Sequence, residues 1–188
     1  MATQTELTAS SIEYSLLGLL GERPMHGYEL HQELSRKTGL GLIWTVKQAQ
    51  LYALLAKLES GGLIAAEVLV QGHRPARRVF HLTEEGGAFY KAWVKEPSGR
   101  RDFRLGFLAK LYFAQREGPD AAKALLADQR RLCALWLEGM IERRDACGDG
   151  NLDGLVYRYR VGQIEAMSVW LDECLAYIEA PSKAIAAV

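Results

Sequence analysis

Hydrophobic positions along the chain fall into helical registers separated by breaks rich in glycine and proline. The clearest register covers residues 45–61. There Leu51, Leu54, Leu55 and Leu58 recur at i, i+3, i+4 and i+7, which at 100° per residue is one apolar stripe of an α-helix. Thr45 with Gln48 reads as a capping box that opens the helix, and Gly61-Gly62 as the stop that ends it in left-handed backbone. Opposite the stripe lie Val46, Ala49, Tyr52, Ala53 and Ala56. Gln48 and Glu59 flank them on one side, Gln50 and Lys57 on the other. Small residues edged by amides, a tyrosine and a lysine suit close approach to another polymer, and a glutamine can pair with a base edge. The same alanines equally suit a solvated helix that touches nothing.

Two helices precede this one. Ser10 and Glu13 form a second capping box ahead of Ile12, Leu16, Leu19 and Leu20, a stripe closed by Gly21. After the Glu22-Arg23-Pro24 turn, a helix holding Tyr28, Leu30 and Leu34 ends near Gly39, and a short apolar connector leads to Thr45. Three helices, the last two joined by a glycine-rich turn, follow the order of a helix-turn-helix, whose second helix enters the major groove. Beyond Gly62 the period changes. Residues 63–70 and 78–82 are rich in β-branched and aliphatic side chains, with Gln71-Gly72-His73-Arg74-Pro75 between them. This predicts a hairpin, or wing. His73, Arg74, Arg77 and Arg78 place four basic or potentially basic side chains within six positions, with no acid among them, which suits contact with phosphates. Thr83 caps a fourth helix reaching about Lys95, and Pro97-Ser98-Gly99 breaks the chain. The expected domains are residues 1–97 and 98–188.

The second half predicts helices alone. Phe103, Leu105, Phe107, Leu108, Leu111, Tyr112 and Phe113 make a helix apolar on most sides. Gly118-Pro119 opens a long helix with proline at its first position. The last helix, residues 152–179, carries one stripe of Ile164, Met167, Leu171, Leu175 and Ile178 and a second of Tyr159, Ala166, Trp170 and Tyr177. Two stripes exceed what a small monomer buries and point to an oligomer interface, with packing on the fourth helix as the alternative. The fold class is therefore mostly α: a winged helix-turn-helix of three to four helices plus a β-hairpin wing, followed by an all-helical dimerisation domain.

Composition narrows the chemistry. Formal net charge is +0 over 188 residues, so no general basic excess favours nucleic acid. Locally, Lys47, Lys57, Arg74, Arg77 and Arg78 outweigh Glu59 and Glu67 by three charges. The three cysteines, Cys133, Cys147 and Cys174, form no disulfide or zinc spacing. No secretory leader and no apolar run near the ~20 residues of a membrane span is present, so a cytoplasmic location is expected. His26 and Glu29 share a helical face but His31 points elsewhere, so no metal or other cofactor is expected. No nucleophile elbow, P-loop or dinucleotide fingerprint occurs, which argues against an enzyme.

Pro24-Met25-His26-Gly27-Tyr28-Glu29-Leu30 resembles the PadR family of transcriptional regulators. So do the stretch from Gln50 to Glu59, Gly62-Leu63-Ile64, and Leu82-Thr83 with Gly86. The region from Phe103 to Phe113 is similar to the helical dimerisation domain of some members. The resemblance implies a homodimeric regulator of double-stranded DNA, often a repressor released by a small, flat aromatic ligand. It places Gln48, Gln50 and Tyr52 against DNA, with Thr45 and Lys47 at the start of the recognition helix. Lys57 would sit near the phosphate backbone, and His73, Arg74 and Arg77 would lie on the wing. Many members have proline where this chain has Ala53, which continues the helix without strain. An effector pocket is expected near Trp93, Phe103 and Phe107. The competing expectation, motivated by the neutral net charge, is a winged-helix adaptor that binds protein and not DNA.

Overall fold

The structure is a computed structural model and describes residues 10–69, 77–147 and 151–180. Its first half is built around α1 (Ser11–Glu22). The predicted cap is present: the Ser10 backbone N–H and hydroxyl both donate to Glu13 Oε2, at 2.6 and 2.8 Å. Leu16, Leu17, Leu19 and Leu20 are all buried, on more sides of the helix than the expected stripe, because residues 77–82, 84–95 and 103–107 all pack on it.

Strand β1 (Met25–His26) leads directly into α2 (Gly27–Ser35). A 3-10 turn, Gly39–Leu42, follows, and then α3 (Gln48–Ser60), the second helix of the helix-turn-helix. Leu51, Leu55 and Leu58 of the predicted stripe are buried and Leu54 half-buried. The start of α3 differs from the sequence reading. Lys47 is the N-cap residue and makes no side-chain cap, Thr45 remains in the connector, and Val46 is buried instead of lying on the outer face. Two contacts account for this. Burying an isopropyl group contributes about 1.5 kcal/mol or more, and the Trp44 indole N–H donates to Ser15 Oγ at 3.2 Å, holding the connector against α1. At the other end Gly62 adopts φ +73°, the left-handed conformation that ends the helix.

β2 (Ile64–Leu69) and β3 (Arg77–Leu82) form the wing, antiparallel with Ile64 opposite Leu82 and Ala66 opposite Phe80. β1 pairs on the far side of β3, giving the order β1-β3-β2. A two-residue strand leaves no alternation in the sequence, so β1 was invisible there. The turn between β2 and β3, with His73 and Arg74, lies outside the described residues. α4 (Glu84–Lys95) starts where expected, the Gly86 N–H donating to Thr83 Oγ1 at 3.0 Å. A Cβ at Gly86 would overlap the Leu63 carbonyl oxygen, so only glycine lets the wing cross this close to the helix.

By packing, the chain forms two compact units that divide after Phe113. The break expected at residue 97 falls inside the first of them. After it the chain turns back through a π-helical turn, Phe103–Phe107, into α5 (Leu108–Glu117). Phe113 meets Tyr90 edge-on at 5.4 Å and fills space over Gly18 that a Cβ would close. In the second unit, α6 (Pro119–Asp145) and α7 (Leu152–Glu179) pair as a helical hairpin. Cys133, Met140, Val161, Ile164 and Leu171 are buried, and Arg130 Nε lies 2.9 Å from Asp172 Oδ1. The first predicted stripe of α7 thus supplies buried residues, while Tyr159, Ala166 and Tyr177 of the second are exposed.

Candidate nucleic-acid interface

Burying the leucine stripe of α3 leaves Gln48, Ala49, Gln50, Tyr52, Ala53, Ala56, Lys57 and Ser60 exposed. Both flanks of this face are tethered. On one, Glu59 accepts two bonds from Arg78 Nη2, at 2.5 and 2.7 Å, and the Arg78 guanidinium lies over the Phe80 ring at 5.2 Å. On the same side the Tyr52 ring lies against Gly27, where a Cβ would come within 2.8 Å of it. On the other flank, Lys57 Nζ pairs with Glu13 Oε1 at 2.8 Å. Glu13 is buried while Lys57 is half-exposed. Burial pushes the Glu13 carboxyl up, but the Lys57 ammonium and the two Ser10 donors outweigh it. The net effect holds Glu13 below its ordinary value of 4.5.

An open cleft of about 710 Å³ lies beside α3, lined among others by His26, Tyr28, Gln32, Tyr52 and Arg78. His26 braces this wall: its Nδ1 is 3.0 Å from the Arg78 carbonyl oxygen, and its backbone N–H donates to Glu29 Oε2 at 2.7 Å. Glu29 also pairs with Arg23 at 3.1 Å, so its carboxylate is engaged within the turn. Among the described residues no group of three metal-ligating side chains converges. Tyr28 is exposed and receives a hydrogen bond from Gln32 Nε2 at 3.0 Å.

Of the residues singled out in sequence, Thr45, Lys47, Gln48, Gln50 and Tyr52 are each exposed, on α3 or in the connector just before it. Lys57 is engaged with Glu13. Arg77 opens β3, and His73 and Arg74 lie outside the described residues. Tyr28 and Gln32 join this surface from α2, and the sequence reading did not include them. Tyr28 carried a usable signal as an aromatic at the start of a polar helix; Gln32 carried none.

A second cleft, of about 660 Å³, opens where the first turn of α1 meets the π-helical turn. Tyr14, Trp44 and Trp93 supply aromatic walls, Arg101 and Arg104 supply cations and Asp102 an anion. Tyr14 stacks with both Phe89 and Trp93, with centroids at 5.1 and 4.8 Å. The buried Lys110 ammonium lies 5.1 Å from the Trp93 ring centre and donates to the Glu96 carbonyl at 2.6 Å. Burial pushes that ammonium below the usual lysine range, although Glu96 and Asp102 pull the other way. Trp93 lines the cleft. Phe103 and Phe107 do not: they stack on each other at 5.0 Å and are buried, and their neighbours in the turn form the wall.

A helix-turn-helix followed by a β-hairpin against α3 defines a winged helix-turn-helix protein. Residues 16–92 match the family model described as "Transcriptional regulator PadR-like family", and residues 103–179 match "Virulence activator alpha C-term". Residues 16–92 thus carry a PadR-like family domain. The chain is 28% identical over 119 residues to the negative transcriptional regulator PadR of Bacillus subtilis, covering 63% of this chain and 64% of that one, just under two thirds of the relative's length. A probable transcriptional regulator of Mycobacterium tuberculosis is 27% identical over 87% of this chain and 95% of its own. The crystal structure of Bacillus subtilis PadR in complex with operator DNA aligns with a TM-score of 0.45 at 23% identity, over 90% of this chain and all of that one. No helix among the described residues is long and apolar enough to cross a membrane.

The depressed Glu13 carboxyl makes a pH prediction. A carboxyl whose folded-state value is lowered contributes stability above its ordinary value and loses it as pH falls through the lowered one. Urea melts between about pH 5 and about pH 3 should therefore show the wild-type chain losing more stability than Glu13→Gln. Parallel losses in the two proteins would show that the pair contributes no pH-linked stability.

Proposed function

We propose that the chain is a homodimeric repressor that reads operator DNA with α3 and its wing and is released by a small, flat aromatic effector. The observation that carries the DNA reading is the outer face of α3. It is bare, small-surfaced and edged by Gln48 and Gln50, while the helix itself is held from both flanks. Repression is supported by the likeness to the negative transcriptional regulator PadR of Bacillus subtilis. Gln50→Ala is expected to relax sequence preference, costing about 1–3 kcal/mol for one lost bidentate base contact. Arg74→Ala is expected to weaken all sequences alike and flatten the salt dependence by about one unit. Shift assays on cognate and random duplexes check both. Equal losses on the two duplexes for Gln50→Ala would remove it from base reading, and no binding to any duplex would favour the adaptor.

Dimerisation is assigned to α7. Leu152, Leu155, Val156 and Tyr159 are exposed at i, i+3, i+4 and i+7, and Val169 and Tyr177 continue exposed apolar surface along the helix. An isolated chain would leave this surface in water. Light scattering should give twice the chain mass for the wild type and a monomer for Tyr159→Asp with Val156→Asp. A wild-type monomer at micromolar concentration would overturn the assignment.

The effector is assigned to the cleft at Tyr14, Trp44 and Trp93, a change from the expected pocket at Phe103 and Phe107. Flat rings suit its stacked aromatic wall, and Arg101 and Arg104, which outnumber the Asp102 carboxylate in the lining, favour an acidic substituent. An occupant there touches both the first turn of α1 and the connector into α3, and it releases DNA only if it prefers the non-binding arrangement. Tryptophan fluorescence with a panel of planar aromatic acids, alongside DNA release, tests this. Quenching lost in Trp93→Leu and matched by release is expected; no response across the panel would leave the tryptophans as packing.

A further inference from the structure

The two carboxylate oxygens of Glu13 do different work. Oε2 takes both Ser10 contacts, the backbone N–H at 2.6 Å and the hydroxyl at 2.8 Å, and so completes the cap of α1 alone. Oε1 plays no part in the cap and faces the Lys57 ammonium at 2.8 Å. Glutamate and glutamine both close such a cap. The charge of this buried group, costly to remove from water, is therefore not needed to start α1. What it holds is α3.

Lys57 lies two turns after Gln50 and about 20° from it around the helix, so the two share one flank of α3. The opposite flank is held by Glu59 and Arg78 and by the Tyr52 ring against Gly27. Between them, the leucine stripe is buried by apolar contact, which has little directional preference. With side chains, an α-helix has a radius of about 5–6 Å, so a rotation of about 20° moves an outer atom by about 2 Å. That displacement breaks a hydrogen bond whose useful range is about 2.7–3.2 Å.

We infer that Glu13 is a positioning residue for DNA recognition: through its ion pair with Lys57 it fixes the rotation of α3, and with it the aim of Gln50, although Glu13 lies on α1. This inference rests on the reading of α3 as the DNA-reading helix. It also reassigns Lys57. A lysine committed to phosphate would gain from losing Glu13, because its charge would be freed; a lysine that anchors α3 loses its function with Glu13.

The test uses the full chain, a duplex enriched by the wild type from a random-sequence pool, and a scrambled duplex of the same composition. Glu13→Gln keeps the cap, and Lys57→Met alters a half-exposed side chain. Each is expected to cut the preference for the selected over the scrambled duplex about tenfold, with scrambled binding little changed. The double variant should lose no more than either single variant, and Lys57→Arg should retain the preference. Tighter binding of Glu13→Gln to both duplexes with a steeper salt dependence would identify Lys57 as a phosphate contact and overturn the inference. An unchanged preference, or losses that add in the double variant, would overturn it as well. If Glu13→Gln fails to fold, Lys57→Met against Lys57→Arg decides the same question. A wild-type chain that enriches no duplex would overturn the DNA reading itself, and this inference with it.

Discussion

The first unit depends on α3 burying one face while leaving the opposite face bare. Leu51, Leu55 and Leu58 meet the first demand, and apolar burial is strong but nearly indifferent to small rotations. The second demand requires directional contacts, and these lie on the flanks. Glu59 reaches the start of β3 through Arg78, Tyr52 fits over Gly27, and Lys57 reaches the buried Glu13. Each connects α3 to a different neighbour, so the wing, α2 and α1 together set one helix.

The burial of α1 follows from the same arrangement. With Leu16, Leu17, Leu19 and Leu20 all inaccessible, this helix is the common floor on which α4 and β3 rest. Its first turn faces two ways. Ser10, Ser11, Ile12 and Tyr14 line the aromatic cleft, while Glu13 turns to α3. The indole of Trp44 adds a second connection: it lines the same cleft and donates to Ser15, whose hydroxyl donates in turn to the Ser11 carbonyl at 2.9 Å. The cleft is thus walled by both α1 and the connector into α3.

The helical hairpin of the second unit solves a simpler problem. One stripe of α7 supplies Ile164 and Leu171 to the buried set with Cys133 and Met140 of α6, and the Arg130–Asp172 pair spans the two helices. Leu152, Leu155, Val156, Tyr159, Val169 and Tyr177 of α7 remain exposed. The division of one helix into a buried stripe and an exposed one is the physical basis for assigning assembly to it.

Much of this was legible in the sequence because it depends on neighbours within a few residues. The Ser10–Glu13 and Thr83 caps, the leucine stripe of α3, the glycine stop at Gly61-Gly62, the proline start of α6 and the two stripes of α7 are local patterns, and each is present in the structure. The family motifs around Tyr28 and in α3 gave the winged helix-turn-helix. What the sequence left undecided depends on long-range contact. Thr45 with Gln48 made a plausible cap, but Val46 gains more from burial, so α3 starts at Gln48. Pro97 reads as a boundary until Phe113 returns to pack on Tyr90 and Gly18. Phe103 and Phe107 look like pocket walls until their rings stack on each other, and the ion pair of Lys57 with Glu13, forty-four positions earlier, leaves no trace in any local pattern. Local pattern determines which elements form and which faces are apolar; only tertiary packing decides which charge meets which, because no periodicity encodes a contact between residues so far apart.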